Sequence, residues 1–322
     1  MDNNDKLGHF KQRFYLKKGT IYVCGNSLGL CSRNAEDCVL KAIEDWKYEG
    51  IKIWGIKDSK YFLYSKNLAR LMAPLINADP DELAVTGSAT INIHQAISTL
   101  YKPTKEKYKI LVDDLNFPTD RYAVDSQVRL KGYAPKDAVK VVKSRDGKYI
   151  SENDLPGLAG WYGNKPDTQF LLRQEFEHQQ DGNGMQIGTP AILSMATLEG
   201  ALNIIQEAGM SNIRNKSLHL TGYLMYLIET KLGKYGFSIG NVKEDSQRGG
   251  HVCAEHDEGH RISLALKARG VVADFREPNV IRMTPVALYN SYADVYNLVE
   301  ILLDIMKTEC YKEISDKKAF VV

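Results

Sequence analysis

Between Asn34 and Tyr48, the apolar residues Val39, Leu40, Ile43 and Trp46 recur at the three- and four-residue spacing of one helix face. Tyr61 to Leu75 repeats the pattern, predicting a second amphipathic helix. The rhythm then shortens. Leu83-Ala84-Val85 reads as a strand, Thr86-Gly87-Ser88-Ala89-Thr90 as a small polar loop, and Asn92 to Tyr101 as a helix. Lys109 to Asp113 and Ala138 to Lys143 read as strands, with a helix starting near Thr119 between them. Strand and helix in alternation predict an α/β domain with a parallel sheet. From Pro190 to Ala208 apolar residues fill more than one helix face, the mark of a buried helix. Asn212 to Tyr235 is a further helix. After it come short strands at 237–239, 251–253, 271–272 and 280–283 and a last helix from Tyr292 to Lys307, an α+β ending. Near the start, the apolar run Ile21-Tyr22-Val23-Cys24 reads as a strand. It is broken by Gly25-Asn26-Ser27-Leu28-Gly29, where the two glycines can take positive φ and Asn26 tolerates it.

Composition narrows the partners more than the fold. The chain has 322 residues, 43% hydrophobic and 25% charged, enough for two domains with real cores. The net charge of +2 carries no basic block, so neither nucleic acid nor an anionic membrane surface is expected as a partner. No apolar run approaches a membrane span, and the polar start Met1 to Lys6 has no apolar signal segment. Five cysteines, with no Cys-x-x-Cys, fit reduced thiols in the cytoplasm.

Several polar positions have chemistry to offer, each with a plain structural alternative. The loop holding Asn26 and Ser27 hangs on a strand end, suited to substrate contact, and also reads as an ordinary surface turn. Ser88, Ala89 and Thr90 stand where a helix begins, so backbone N–H groups there can cradle a phosphate; a simple N-cap explains the same residues. In Asn116-Phe117-Pro118-Thr119-Asp120, Pro118 turns the chain and Thr119 or Asp120 can cap the next helix, while Phe117 can stack on a planar ligand or join a core. Trp161 has an N–H for a phosphate oxygen, and Thr189 a hydroxyl ahead of the apolar helix. Arg282 lies mid-strand between Ile281 and Met283. It is either on a solvated face or buried, and if buried it needs a carboxylate. His251, His256 and His260 with Asp257 and Glu258 hint at a metal, but the spacing does not require the imidazoles to converge.

These segments together resemble one family. Tyr22-Val23-Cys24-Gly25-Asn26-Ser27-Leu28-Gly29-Leu30, Phe117-Pro118-Thr119-Asp120, Leu158-Ala159-Gly160-Trp161, Gln186-Ile187-Gly188-Thr189-Pro190 and Asn279-Val280-Ile281-Arg282-Met283-Thr284-Pro285 are similar, in order, to motifs of the kynureninases. The resemblance implies a fold-type-I PLP-dependent, transferase-like large domain with helices on both faces of a mostly parallel sheet, and a smaller α+β C-terminal domain. It implies an N-terminal segment over 1–55, a pyridoxal 5'-phosphate-binding domain over 56–200 and a small domain over 201–322. It implies hydrolysis of L-kynurenine or 3-hydroxykynurenine to anthranilate or 3-hydroxyanthranilate and L-alanine, by a homodimer with shared sites. By resemblance, Ala89, Thr90, Phe117, Pro118, Thr119, Asp120, Trp161 and Thr189 meet the cofactor, and Asn26, Ser27 and Arg282 the substrate. A desulfurase, another enzyme of the fold, would need a catalytic cysteine loop that none of the five cysteines supplies.

The resemblance also exposes a gap. The family's cofactor-bearing lysine and the carboxylate facing the pyridine nitrogen belong between the strand at Lys140-Val141-Val142 and Trp161. Here that interval is only Ser144 to Ala159; its Lys148 sits in a turn-like Arg145-Asp146-Gly147-Lys148, and neither the cofactor-bearing lysine nor its carboxylate partner is found in it. The join falls near Asp154-Leu155-Pro156, with roughly three strand–helix units expected to be missing. Such a loss should bare apolar faces and open sheet edges. The alternative to the enzyme is therefore a non-catalytic remnant that only binds or dimerises.

Overall fold

The computed structural model describes residues 2–113, 118–142, 186 and 189–315. In chain order its strands and helices are β1 (Ile21–Tyr22), α1 (Arg33–Glu49), α2 (Ile56–Ser59), α3 (Tyr64–Ile76), α4 (Ala89–Leu100), β2 (Ile110–Asp113), α5 (Pro118–Leu130), α6 (Pro135–Ala138) and β3 (Val139–Val142). They continue with α7 (Ile192–Ala208), α8 (Met210–Leu227), β4 (Ser238–Ile239), β5 (Val252–Glu255), α9 (Gly259–Ala268), β6 (Val271–Val272), β7 (Asp274–Arg276), β8 (Val280–Met283) and α10 (Tyr292–Thr308). Two compact units result: Met1–Leu40 with Glu199–Val322, and Lys41–Leu198.

In the first unit an antiparallel sheet in the order β4-β5-β8-β7 is covered by α8, α9 and α10. Leu220, Leu224, Ile262, Leu266, Ile281, Met283, Leu298 and Leu302 lie wholly inside. The predicted helix to Tyr235 ends early as α8, and the chain continues in a π turn (Ile228–Leu232) and a 3-10 turn (Gly233–Tyr235). Ser291 and Asp294 close a capping box at the start of α10, and the Asp2 carboxylate accepts from the N–H groups of Tyr292 (2.8 Å) and Ala293 (3.0 Å). A negative charge is favoured at that positive helix end. β1 pairs in parallel with β6, joining the N-terminal segment to the C-terminal fold. Asp5 and Lys216 form a buried ion pair at 2.5 Å.

The second unit carries the parallel pair, β2 with β3, in the register Ile110↔Val139 to Asp113↔Val142. Val124, Val128, Ala138 and Val139 form the core against it. Leu111 stays 66% exposed, more than a central strand of a covered sheet allows. The expected strand at 83–85 is corrected: the segment leaving Leu83 is extended but pairs with no strand among the described residues. Val85 N–H donates instead to Ser65 Oγ (3.0 Å), and the Ser65 hydroxyl donates back to Val85 C=O (2.9 Å). A serine on α3 thus occupies the groups a neighbouring strand would use.

Candidate functional site

Arg282 stands at the centre of the C-terminal sheet, with Asp274 beside it on β7 and Cys253 beside it on β5. Its guanidinium pairs with the Asp274 carboxylate: Nε donates to Oδ2 at 3.1 Å and Nη2 donates to the same oxygen. Arg276 Nε donates to that oxygen too, at 3.1 Å. The side chain of Arg282 is 26% exposed and that of Asp274 is 14% exposed. The conditional reading of Arg282 is thereby resolved: it is mostly buried, and its carboxylate partner comes from the chain itself.

The polar loop after β1 joins this cluster. Thr284 N–H donates to Val23 C=O, drawing the loop onto the end of β8. With Oδ1 turned toward Arg282, the amide of Asn26 accepts from Nε at 2.8 Å and Nη2 at 2.7 Å, and its Nδ2 donates to Thr284 Oγ1 at 2.6 Å, in place of a long 3.4 Å bond from Nδ2 to Asp274 Oδ2. The opposite orientation would face amide hydrogens toward guanidinium hydrogens. Ser27 N–H closes the turn by donating to Cys24 C=O at 3.1 Å. Neither Gly25 nor Gly29 takes positive φ, which corrects that expectation. Gly25 is required by close approach instead: a Cβ there would lie 2.5 Å from Val286 Cγ2 and 2.7 Å from Tyr289 Oη.

The titrating neighbours are tuned toward neutrality. Burial, and then the charge of Arg282, push the His251 imidazole down. Burial, and then Asp274, raise the Cys24 thiol, and burial raises Cys253. A raised thiol is a poor nucleophile. His256 and His260 serve the structure. His256 Nδ1 accepts from Glu258 N–H at 2.9 Å and its Nε2 lies 3.0 Å from Tyr235 C=O, while the His260 ring packs on Phe275. Among the described residues no three His, Cys, Asp or Glu side chains are placed to hold a metal ion.

In the second unit Ser88 caps α4, its Oγ accepting from Ile91 N–H at 3.4 Å. Ala89 and Thr90 form the first turn, where backbone N–H groups have no partner within the helix. This end of α4 fits a phosphate. Pro118, Thr119 and Asp120 form the first turn of α5, packed beside α4. Thr189 is exposed, three residues before α7. Phe117, Trp161 and the join near 154–156 lie outside the described residues. Sequence reasoning missed Asp274, which was legible only as the carboxylate a buried Arg282 demands. His94, one turn after Thr90 on α4, packs against α5 with Nδ1 3.0 Å from Gln127 Nε2.

A family model described as the kynureninase C-terminal domain matches residues 213–302. A protein of Geobacillus thermodenitrificans named kynureninase is 37% identical, over all of this chain and 96% of its own length. One of Bacillus anthracis with that name is 38% identical over 99% and 96%. The first alignment runs over 412 positions against 322 residues here, so at least 90 positions face nothing in this chain. Among solved structures, the cystine C–S lyase C-DES with its product cysteine persulfide matches at a TM-score of 0.66 and 14% identity, covering 89% of this chain and 98% of that one. An apo cysteine desulfurase from Thermococcus onnurineus matches at 0.67 and 11%, covering 93% and 98%. At such identities the likeness is one of fold, the α/β fold of the fold-type-I PLP enzymes.

Proposed function

The chain belongs to the kynureninase family, and from that premise we propose that its site is laid out for L-kynurenine or 3-hydroxykynurenine, held through the α-carboxylate by Arg282. The activity laid out is hydrolysis to anthranilate or 3-hydroxyanthranilate and L-alanine. The observation that carries this is the state of the guanidinium. Asp274 and Asn26 occupy its Nε–Nη2 edge, and Nη1 has no acceptor among the described residues. A carboxylate entering there gains charge-assisted hydrogen bonds. Asn26 acts by orienting Arg282, and Ser27 lies beside it in the loop.

Pyridoxal 5'-phosphate, when bound, supplies an electron sink. The N–H groups of Ala89 and Thr90 would hold its phosphate at the N-terminus of α4. We assign Pro118, Thr119 and Asp120, with Phe117, Trp161 and Thr189, to the remaining contacts. Cytoplasmic residence is supported by five cysteines, none of which forms a disulfide among the described residues. A homodimer is supported by an apolar cavity of about 420 Å³ bordered by the exposed Trp46, Ile51 and Leu193.

A second reading has its own support. The 90 or more unmatched positions, with nothing in the sequence from 144 to 159 that resembles the family's cofactor-bearing lysine, favour a chain that binds without catalysing. The two readings separate on one experiment. The purified chain is mixed with pyridoxal phosphate, reduced with borohydride and digested for mass spectrometry. No pyridoxyl-lysine and no visible absorption band are expected, leaving the binding role. One uniquely labelled lysine would overturn that and restore the enzyme.

A further inference from the structure

We propose that Asp274 is a positioning residue for the carboxylate anchor: it holds the side edge of the Arg282 guanidinium so that the end fork stays open to an incoming α-carboxylate. The inference rests on the reading of Arg282 as that anchor. A guanidinium presents two forks to a carboxylate, one formed by Nε and Nη2 and one by Nη1 and Nη2. Asp274 Oδ2 accepts from both members of the first fork and from neither side of Nη1. Asn26 Oδ1 accepts on that same edge. Nη1 has no acceptor among the described residues and is not among the buried atoms left without one, so it reaches solvent.

The placement is built into the backbone. Asp274 and Arg282 are register partners on adjacent antiparallel strands, so no loop must move to bring them together. The charges also fit. Asp274 lies between Arg276 and Arg282, one negative group against two positive ones, and the surplus of one positive charge is what a carboxylate would neutralise. A carboxylate acting as an internal competitor for the substrate would sit on the end fork, and Asp274 does not.

The test compares affinity for L-kynurenine with affinity for kynuramine, its decarboxylated amine, using the full chain and calorimetry. The ratio of the two reads the carboxylate contact, and loss of stability alone does not move it. The wild type should prefer L-kynurenine by at least about tenfold, the low end for charge-assisted hydrogen bonds. Asp274→Ala should reduce the preference to within about threefold. Asp274→Asn keeps an acceptor oxygen without the charge, and should retain the preference or increase it. The proposal is overturned if Asp274→Ala keeps the full preference or strengthens it, or if Asp274→Asn loses the preference. If Asp274→Ala does not fold, Asp274→Leu, which fills the space but removes both acceptor oxygens, takes its place and is read by the criterion set for Asp274→Ala. Arg282→Ala separates the two levels. If it abolishes the preference while Asp274→Ala does not, the anchor stands and the role of Asp274 falls. If it leaves the preference intact, or the wild type shows none, the anchor itself is wrong and the proposal falls with it.

Discussion

Gly25 shows how a motif residue can be needed for a reason its type does not announce. Its backbone is unstrained, yet Val286 and Tyr289 leave no room for a methyl group. The Tyr289 ring is 3% exposed and its burial pushes the phenol well above the usual range, so it cannot swing into water cheaply. Gly25→Ala should therefore cost about 1–3 kcal/mol, the range for overpacking a well-filled site. Denaturant unfolding checks it: the midpoint should fall with an unchanged slope. A midpoint within error of wild type would show that the loop moves aside freely. The same variant should disturb Asn26, the next residue, and through it the orientation of Arg282.

At the scale of elements, the segment at 83–85 and helix α4 belong together. Ser65 stands in for a neighbouring strand by bonding both backbone groups of Val85. Removing that hydroxyl leaves a half-buried N–H and C=O unpaired, at about 1–3 kcal/mol. Ser65→Ala should lower thermal stability accordingly, and a melting temperature equal to wild type would show that water replaces the hydroxyl. The segment ends at the Ser88 cap, so its position sets where the N-terminus of α4 lies. Weak binding of inorganic phosphate is expected there. Thr90→Val with Phe117→Ala should abolish whatever binding titration calorimetry detects. Binding that survives both changes would place the phosphate site elsewhere.

For the whole molecule, the decisive fact is what the alignment leaves unmatched. At least 90 positions of a relative that shares all of this chain have no counterpart in it. Among the described residues the parallel sheet is the pair β2–β3, and Leu111 on it is exposed. Inserting the corresponding interval from a relative near position 155 should restore kynurenine hydrolysis. In that repaired protein Arg282→Lys should be impaired and Arg282→Ala worse, by at least about tenfold in kcat/KM, since lysine keeps the charge but loses the fork. Normal turnover with alanine at 282 would assign the carboxylate to another residue.

The helices α1 and α3 were legible from apolar spacing, because a helix that buries one stripe must repeat it every three to four residues, and α7 from apolar residues on more than one face. The family was legible from five short motifs in order. What the sequence left open were pairings between residues far apart in the chain. Asp274 becomes the partner of Arg282 only through the register of β7 and β8, and Asn26 reaches the same guanidinium across more than 250 residues. Ser65 takes the place of a strand only because α3 passes beside Val85. Local periodicity records which face of an element is buried. Which polar group meets which is decided by packing at distances along the chain that no periodic signal spans.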